Sequence, residues 1–153
     1  MKKTITILLI LFSLSLFSQN INVIIQVNER TLMDGEVSNL YIKLENNDTL
    51  YRSINYYPGD LILSKELLQK INDDSIPKLK LHFDYYTYKK GNQEIANFDI
   101  ELNKGLLNQR YLIIDVYDFR DKKYKKWYQQ YTKENYIVQL IYPQFGYYIR
   151  MID

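Results

Sequence analysis

No cysteine occurs in the chain, and the scarcity extends to one histidine, one alanine, three prolines and five glycines among 153 residues. Without cysteine there is no disulfide, no thiol nucleophile and no cysteine-linked lipid anchor, so stability must come from burying apolar surface. A single histidine, His82, cannot build a Cys/His zinc cluster. No phosphate-cradling glycine loop and no Gly-x-Ser-x-Gly elbow is present. Only one apolar run stands out, and it lies at the start.

That run, "MKKTITILLILFSLSLFSQN", has Lys2 and Lys3 before an apolar stretch from Ile5 to Phe17, with the small residue Ser18 after it. It is short for a membrane span and has no charged flank to stop transfer. The pattern is that of a secretory signal peptide over 1–18, which predicts export to the periplasm or beyond after cleavage near Ser18. The remainder, 19–153, is 135 residues long, enough for one domain with a real core. Losing Lys2 and Lys3 leaves 18 basic against 18 acidic residues. A formally neutral exported chain does not point to nucleic acid.

What the chain has is tyrosine, 16 of them, with abundant Asn, Lys and Ile. A genomic bias toward A/T-rich codons raises these residues together and lowers Ala, Gly and Pro, so tyrosine content alone does not argue for ligand stacking.

The apolar pattern has period two almost throughout. "INVIIQV" (21–27) puts Ile21, Val23, Ile25 and Val27 on one face, and Asp34-Gly35 offers a turn. "NLYIKLE" (39–45) sends Leu40, Ile42 and Leu44 inward, and Asn46-Asn47-Asp48 turns it into "TLYRSIN" (49–55). After Pro58-Gly59-Asp60 and a short "LIL", residues 64–73 read as a helix with Ser64 as N-cap and Leu67, Leu68 and Ile71 on one face. "KLKLHFDYYTY" (78–88) alternates most clearly, with Leu79, Leu81, Phe83, Tyr85 and Thr87 inward; "IANFDIEL" (95–102) returns with Ala96, Phe98, Ile100 and Leu102 inward. "RYLIIDVYDF" (110–119) is apolar on both faces, as a covered central strand is. A terminal hairpin is expected from 136–142 and 147–152 about Pro143-Gln144-Phe145-Gly146. The sum is a mainly β protein, a single antiparallel β-sandwich of about seven or eight strands with one or two short helices (64–73 and 119–133).

The exposed-polar first strand "INVIIQV", the strand-turn-strand "LYIKLENNDTLYRS" and Pro58-Gly59-Asp60 before "LILS" resemble the transthyretin-like, carboxypeptidase regulatory-like modules of exported proteins. The resemblance spans the first half of 19–153, lacks the family's glycine-rich turns and carries 64–73 as an insertion. It implies a sandwich fold and no activity.

The second helix rests on "DFRDKKYKKWYQQY" (118–131). As a strand it scatters lysines and aromatics over both faces; as a helix it aligns Tyr124, Trp127, Tyr128 and Tyr131 at i, i+3, i+4 and i+7. Asp118 is then the expected N-cap, Asp121 lies in the first turn, and the aromatic stripe is expected to face the sheet with the lysines in water. Asp115, Asp118 and Asp121 lack the loop pattern of a calcium site, and Asp115 is expected to be solvated.

His82 shares the outward face of 78–88 with Lys80, Asp84, Tyr86 and Tyr88. Alternate residues of a strand stand about 7 Å apart, so His82 and Asp84 can reach one ligand. His82, Lys80, Tyr86 and Tyr88, together with Trp127, are the candidate ligand contacts; no catalytic residue, metal or cofactor is assigned. The expected function is a non-enzymatic cell-envelope module that binds a protein or glycan. Peripheral membrane contact is a further option for the basic helix, and oligomeric state is open. The alternatives are an exported immunity or inhibitor protein and, third, a hydrolase assembled around His82 or a carboxylate pair.

Overall fold

The computed structural model describes residues 20–44, 50–51, 55–72, 78–89 and 91–143. The leader, the turn at 46–48 and the strand expected at 147–152 lie outside them. Along the chain run β1 (Asn20–Ile21), β2 (Val23–Val27), β3 (Arg30–Thr31), a 3-10 turn at Asp34–Glu36, β4 (Val37–Leu44), β5 (Leu50–Tyr51), β6 (Asn55–Tyr57) and β7 (Asp60–Ile62). Then come α1 (Lys65–Ile71), β8 (Lys78–Lys89), β9 (Asn92–Asn103), α2 (Lys104–Leu107), β10 (Leu112–Asp118), α3 (Lys122–Tyr128), a 3-10 turn at Gln129–Tyr131 and β11 (Tyr136–Ile141). The protein is mainly β with a few short helices, as the period-two pattern predicts.

Two four-stranded sheets, ordered β5-β4-β8-β9 and β11-β10-β2-β3, share one core; a three-stranded sheet, β1-β7-β6, joins it. Ile42, Leu81, Phe83 and Phe98 from the first sheet meet Val23, Ile25, Ile114 and Val116 from the second. Burial alternates along β2 and β9 as their sequences require. Helix α1 starts where Ser64 accepts a hydrogen bond from the Leu67 N–H (3.2 Å) and lays Leu67 and Ile71 on the core.

One pairing breaks the antiparallel expectation. β2 and β10 run parallel, Val23 beside Leu112 through Val27 beside Val116. The two strands come from opposite ends of the described chain, so no local pattern encodes their pairing. β10 is covered on both faces, which matches its two-sided apolar sequence. The segment expected as one strand at 49–55 also divides: Leu50–Tyr51 pairs with β4, whereas β6 belongs to the three-stranded sheet.

β3 is only two residues long, and it leaves the Ile25 N–H of β2 without a strand partner. The buried Tyr56 hydroxyl takes that place: it accepts from Ile25 N at 2.9 Å and donates to Leu32 O at 3.2 Å. Leu32 N in turn donates to Ile25 O (2.9 Å). Tyr56 therefore extends the ladder from a second sheet with its side chain. Tyr56→Phe keeps the ring but orphans a buried N–H; we expect a loss of about 1–3 kcal/mol in denaturant unfolding, with an unchanged m-value.

Candidate functional site

Register places the strand-borne candidates on one face, in successive rows. Lys80 stands between Lys43 and Glu101, and His82 between Tyr41 and Asp99; Tyr86 lies opposite Ile95 and Tyr88 opposite Gln93. Trp127 is not with them, because α3 covers the outer face of the other sheet.

His82 is not free to share a ligand with Asp84, because the two meet each other. Its Nε2 lies 3.1 Å from Asp84 Oδ1 and its Nδ1 2.8 Å from Asp99 Oδ1. The ring stacks on Tyr41, centroids 4.4 Å apart and planes 14° from parallel. Asn97 Nδ2 donates to the same Asp84 oxygen (2.6 Å). This is a cross-strand polar lattice over β4, β8 and β9 with both imidazole nitrogens engaged. His82 lines neither of the two clefts at the far end of β8–β9. Among the described residues, no group of three His, Asp or Glu side chains could hold a metal ion.

The basic-aromatic stretch does form a helix at the expected place, but Asp121 caps it, accepting from Lys123 N at 2.8 Å. Asp118 is buried at the end of β10, where it accepts from Arg120 N (2.9 Å) and binds the Arg120 guanidinium (2.6 Å). Only part of the stripe faces the sheet. Tyr124 is buried and Tyr128 half-buried against Tyr117, while Trp127 is 43% and Tyr131 56% exposed. The apolar strip beneath, Tyr117, Phe119 and Ile137, is too narrow for four rings. The helix also tightens into a 3-10 turn after Tyr128, which takes Tyr131 out of line. Trp127 packs edge-on to Tyr124 and Tyr128, with the Lys123 ammonium 4.7 Å from its ring centre.

Asp115 reverses its expected exposure: it is buried beside Tyr117 on the covered face. Burial holds its carboxyl above the usual range, opposed by the neighbouring Tyr117 hydroxyl and by the Glu29 N–H, which donates to Asp115 Oδ1 at 3.3 Å. The same burial, then the Asp115 charge, holds the Tyr117 hydroxyl well above its usual range. The Glu29 N–H is presented by a two-residue turn, Asn28-Glu29, with both residues at positive φ (55° and 66°). That costly backbone is held from several sides. Asn28 N donates to Val116 O, Asn28 Oδ1 accepts from Asp118 N, and the Tyr124 hydroxyl reaches Asn28 O and Glu29 Oε2.

Among the described residues a concave surface lies at the far end of β8–β9. β4 pairs with β8 only as far as Val37 beside Tyr85, whereas β8 and β9 continue together to Lys89 beside Asn92. The result is a two-stranded arm. A cleft of about 490 Å³ runs along it, lined by Arg30, Gly35, Glu36, Tyr85, Tyr86, Thr87, Tyr88 and Gln93. A second, about 650 Å³, shares Arg30, Tyr85, Thr87 and Tyr88 and extends to Glu94, Asp118, Arg120 and Lys122. Arg30 binds Glu36 (2.6 Å) and the Tyr85 hydroxyl (2.9 Å). Glu36 is held below the usual carboxylate range, first by the Met33 N–H and then by Arg30. Of the sequence candidates, Tyr86 and Tyr88 line a cleft; His82, Lys80 and Trp127 line neither. Arg30 and Arg120 were not marked by any sequence motif. The only local signal was the Asp-x-Arg spacing of Asp118 and Arg120.

No family model, curated protein or solved structure matches this chain. Among the described residues, no helix is long and apolar enough to cross a membrane.

Two measurements check this geometry. Trp127 emission should be water-like and readily quenched by acrylamide. For Asp115, the folded carboxyl holds its proton more tightly than the unfolded one, so ionisation costs stability as pH rises from the ordinary carboxylate range through the raised value. Asp115→Asn should therefore melt higher than wild type at neutral pH, with the gap closing below about pH 4. An equal gap at both pH values would assign the effect to packing.

Proposed function

We propose that the protein is an exported, non-enzymatic envelope module that binds a partner protein through the projecting end of β8–β9. The observation that supports this reading is the arm itself, which leaves the sheet with Tyr88 77% and Ile95 52% exposed and a cleft along its edge. Exposed aromatic and apolar side chains beside guanidinium groups are the composition of protein-interface anchors. His82, the one histidine available for acid–base work, is locked between carboxylates away from both clefts, which favours binding over turnover. An inhibitor that inserts the arm into an enzyme's cleft is a special case of the same reading, favoured by the same projection.

Affinity capture from envelope extracts tests it, with a glycan array run in parallel. A specific protein should be retained by wild type and lost with Tyr88→Asp/Ile95→Asp, a drop of at least about tenfold in affinity. Retention unchanged by the double substitution, or binding to glycans alone, would refute the reading.

A further inference from the structure

Resting on that reading, we infer that the partner is bound by strand addition: an extended, uncharged peptide segment pairs with the open edge of β8 at Tyr86–Tyr88. The phase of the ladder identifies the free groups. Asp99 of β9 turns both its N–H and its C=O away from β8, since the first donates to the Tyr136 hydroxyl (3.1 Å) and the second accepts from it (2.8 Å). In an antiparallel pair, the residue opposite must also turn its backbone outward. His82, opposite Asp99, thus faces β4, and so does every second residue along the unbroken β8–β9 register, including Tyr86 and Tyr88.

β4 ends before it can meet them. The Glu36 N–H that would answer the Tyr86 carbonyl is spent on Met33 O (3.0 Å) as the chain leaves the sheet in its 3-10 turn. Among the described residues β4 places no residue opposite Tyr86 or Tyr88, so the ladder leaves the Tyr86 C=O and the Tyr88 N–H and C=O unanswered. Nearer the body of the sheet, the outer edge of β9 is capped at Asp99 by the Tyr136 hydroxyl.

The cavity has the matching shape. Neighbouring side chains of a strand point to opposite faces, yet Tyr85, Tyr86, Thr87 and Tyr88 all line the 490 Å³ cleft. A cavity touched by four consecutive residues lies along the strand's edge, not over one face. Across it a Cβ on Gly35 would meet nothing within 4 Å, so the opposite wall leaves room. The edge holds no proline or glycine, and Tyr-Thr-Tyr is strongly β-prone.

Charge selects the occupant. Arg30 and Arg120, the guanidiniums of the two clefts, are each tied to a carboxylate at 2.6 Å, and Lys122 lines the second cleft together with Glu94 and Asp121. The site has no surplus positive charge for a nucleic acid, an acidic glycan or an anionic lipid. An uncharged polypeptide backbone is what three unpaired ladder groups recognise.

Random twelve-residue peptides displayed on phage, selected against the protein, provide the probe. Selected peptides should slow hydrogen exchange of the Tyr88 amide. Tyr88→Pro, which removes the outward N–H and spares the bonds to β9, should weaken them at least about tenfold, while Tyr88→Phe stays within about threefold. Amide protection in wild type decides the matter even if the proline variant disturbs the arm. Peptides that bind without protecting Tyr88, or equally well to a folded proline variant, overturn strand addition. So does a captured envelope partner indifferent to Tyr88→Pro, which leaves the partner-binding reading intact. Absence of both peptide and protein binding removes the two together.

Discussion

The parallel ladder between β2 and β10 is the constraint on which the rest hangs. It seats the first strand of the β11-β10-β2-β3 sheet beside its last buried one, and the polar arrangements around the Asn28-Glu29 turn follow from its register. Asn28 N reaches Val116 O at one end and Leu112 N reaches Asn22 O at the other, both at 2.8 Å. With β10 fixed there, Asp115 falls under the Asn28-Glu29 turn, and the left-handed backbone of that turn is held by groups from β10 and α3. With β2 fixed there, the Ile25 N–H needs a partner that β3 is too short to supply, and Tyr56 supplies it from another sheet. Parallel pairing buries both strands, so such substitutions must come from side chains within the core.

The smaller consequences concern where strands stop. β4 carries a bulge between Ser38 and Tyr41, with Asn39 at φ 47°, and it starts from a 3-10 turn instead of continuing the sheet. β8 and β9, tied by an uninterrupted twelve-residue register, ignore that ending. An arm whose β8 edge is left open is the direct product of this mismatch in length. The opposite edge shows how the fold otherwise closes such a strand: Tyr136 reaches over from β11, stacks edge-on against Phe98 and satisfies Asp99.

Alternation made most of this readable from residues. β2, β4, β8, β9 and α1 appear where period two or a capped amphipathic turn predicts them, because each half-buried element must write its burial into its own sequence. The parallel pair was not readable, since pairing between distant strands leaves no local trace. α2, a single turn begun by Asn103, was too short to register. The buried state of Asp115 depends on Glu29 and Tyr117, one far off in the chain and one on its own strand, so a charge that looks solvated locally is covered in three dimensions. Trp127 fails differently: helical spacing says which residues share a side, but the width of the apolar strip beneath decides how many of them it can cover. Of the five candidate contacts, strand alternation placed Lys80, His82, Tyr86 and Tyr88 on one face and could not say that His82 would be held by its own neighbours.

The electrostatics move the functional argument from the helix to the arm. Lysines interleaved with aromatics suggest affinity for anions, yet Lys123 spends its charge over Tyr124 and Trp127 and beside Glu29. At the arm, each guanidinium carries its own counter-ion, so the clefts offer geometry and backbone groups in place of net charge. A surface of that kind discriminates by shape and hydrogen-bond direction. It suits a polypeptide in an extended state, where every second residue presents a donor and an acceptor to the same side, and it penalises ligands whose affinity depends on phosphate or carboxylate. A histidine locked into its sheet and an unfinished strand are the observations on which the proposed recognition by the backbone rests.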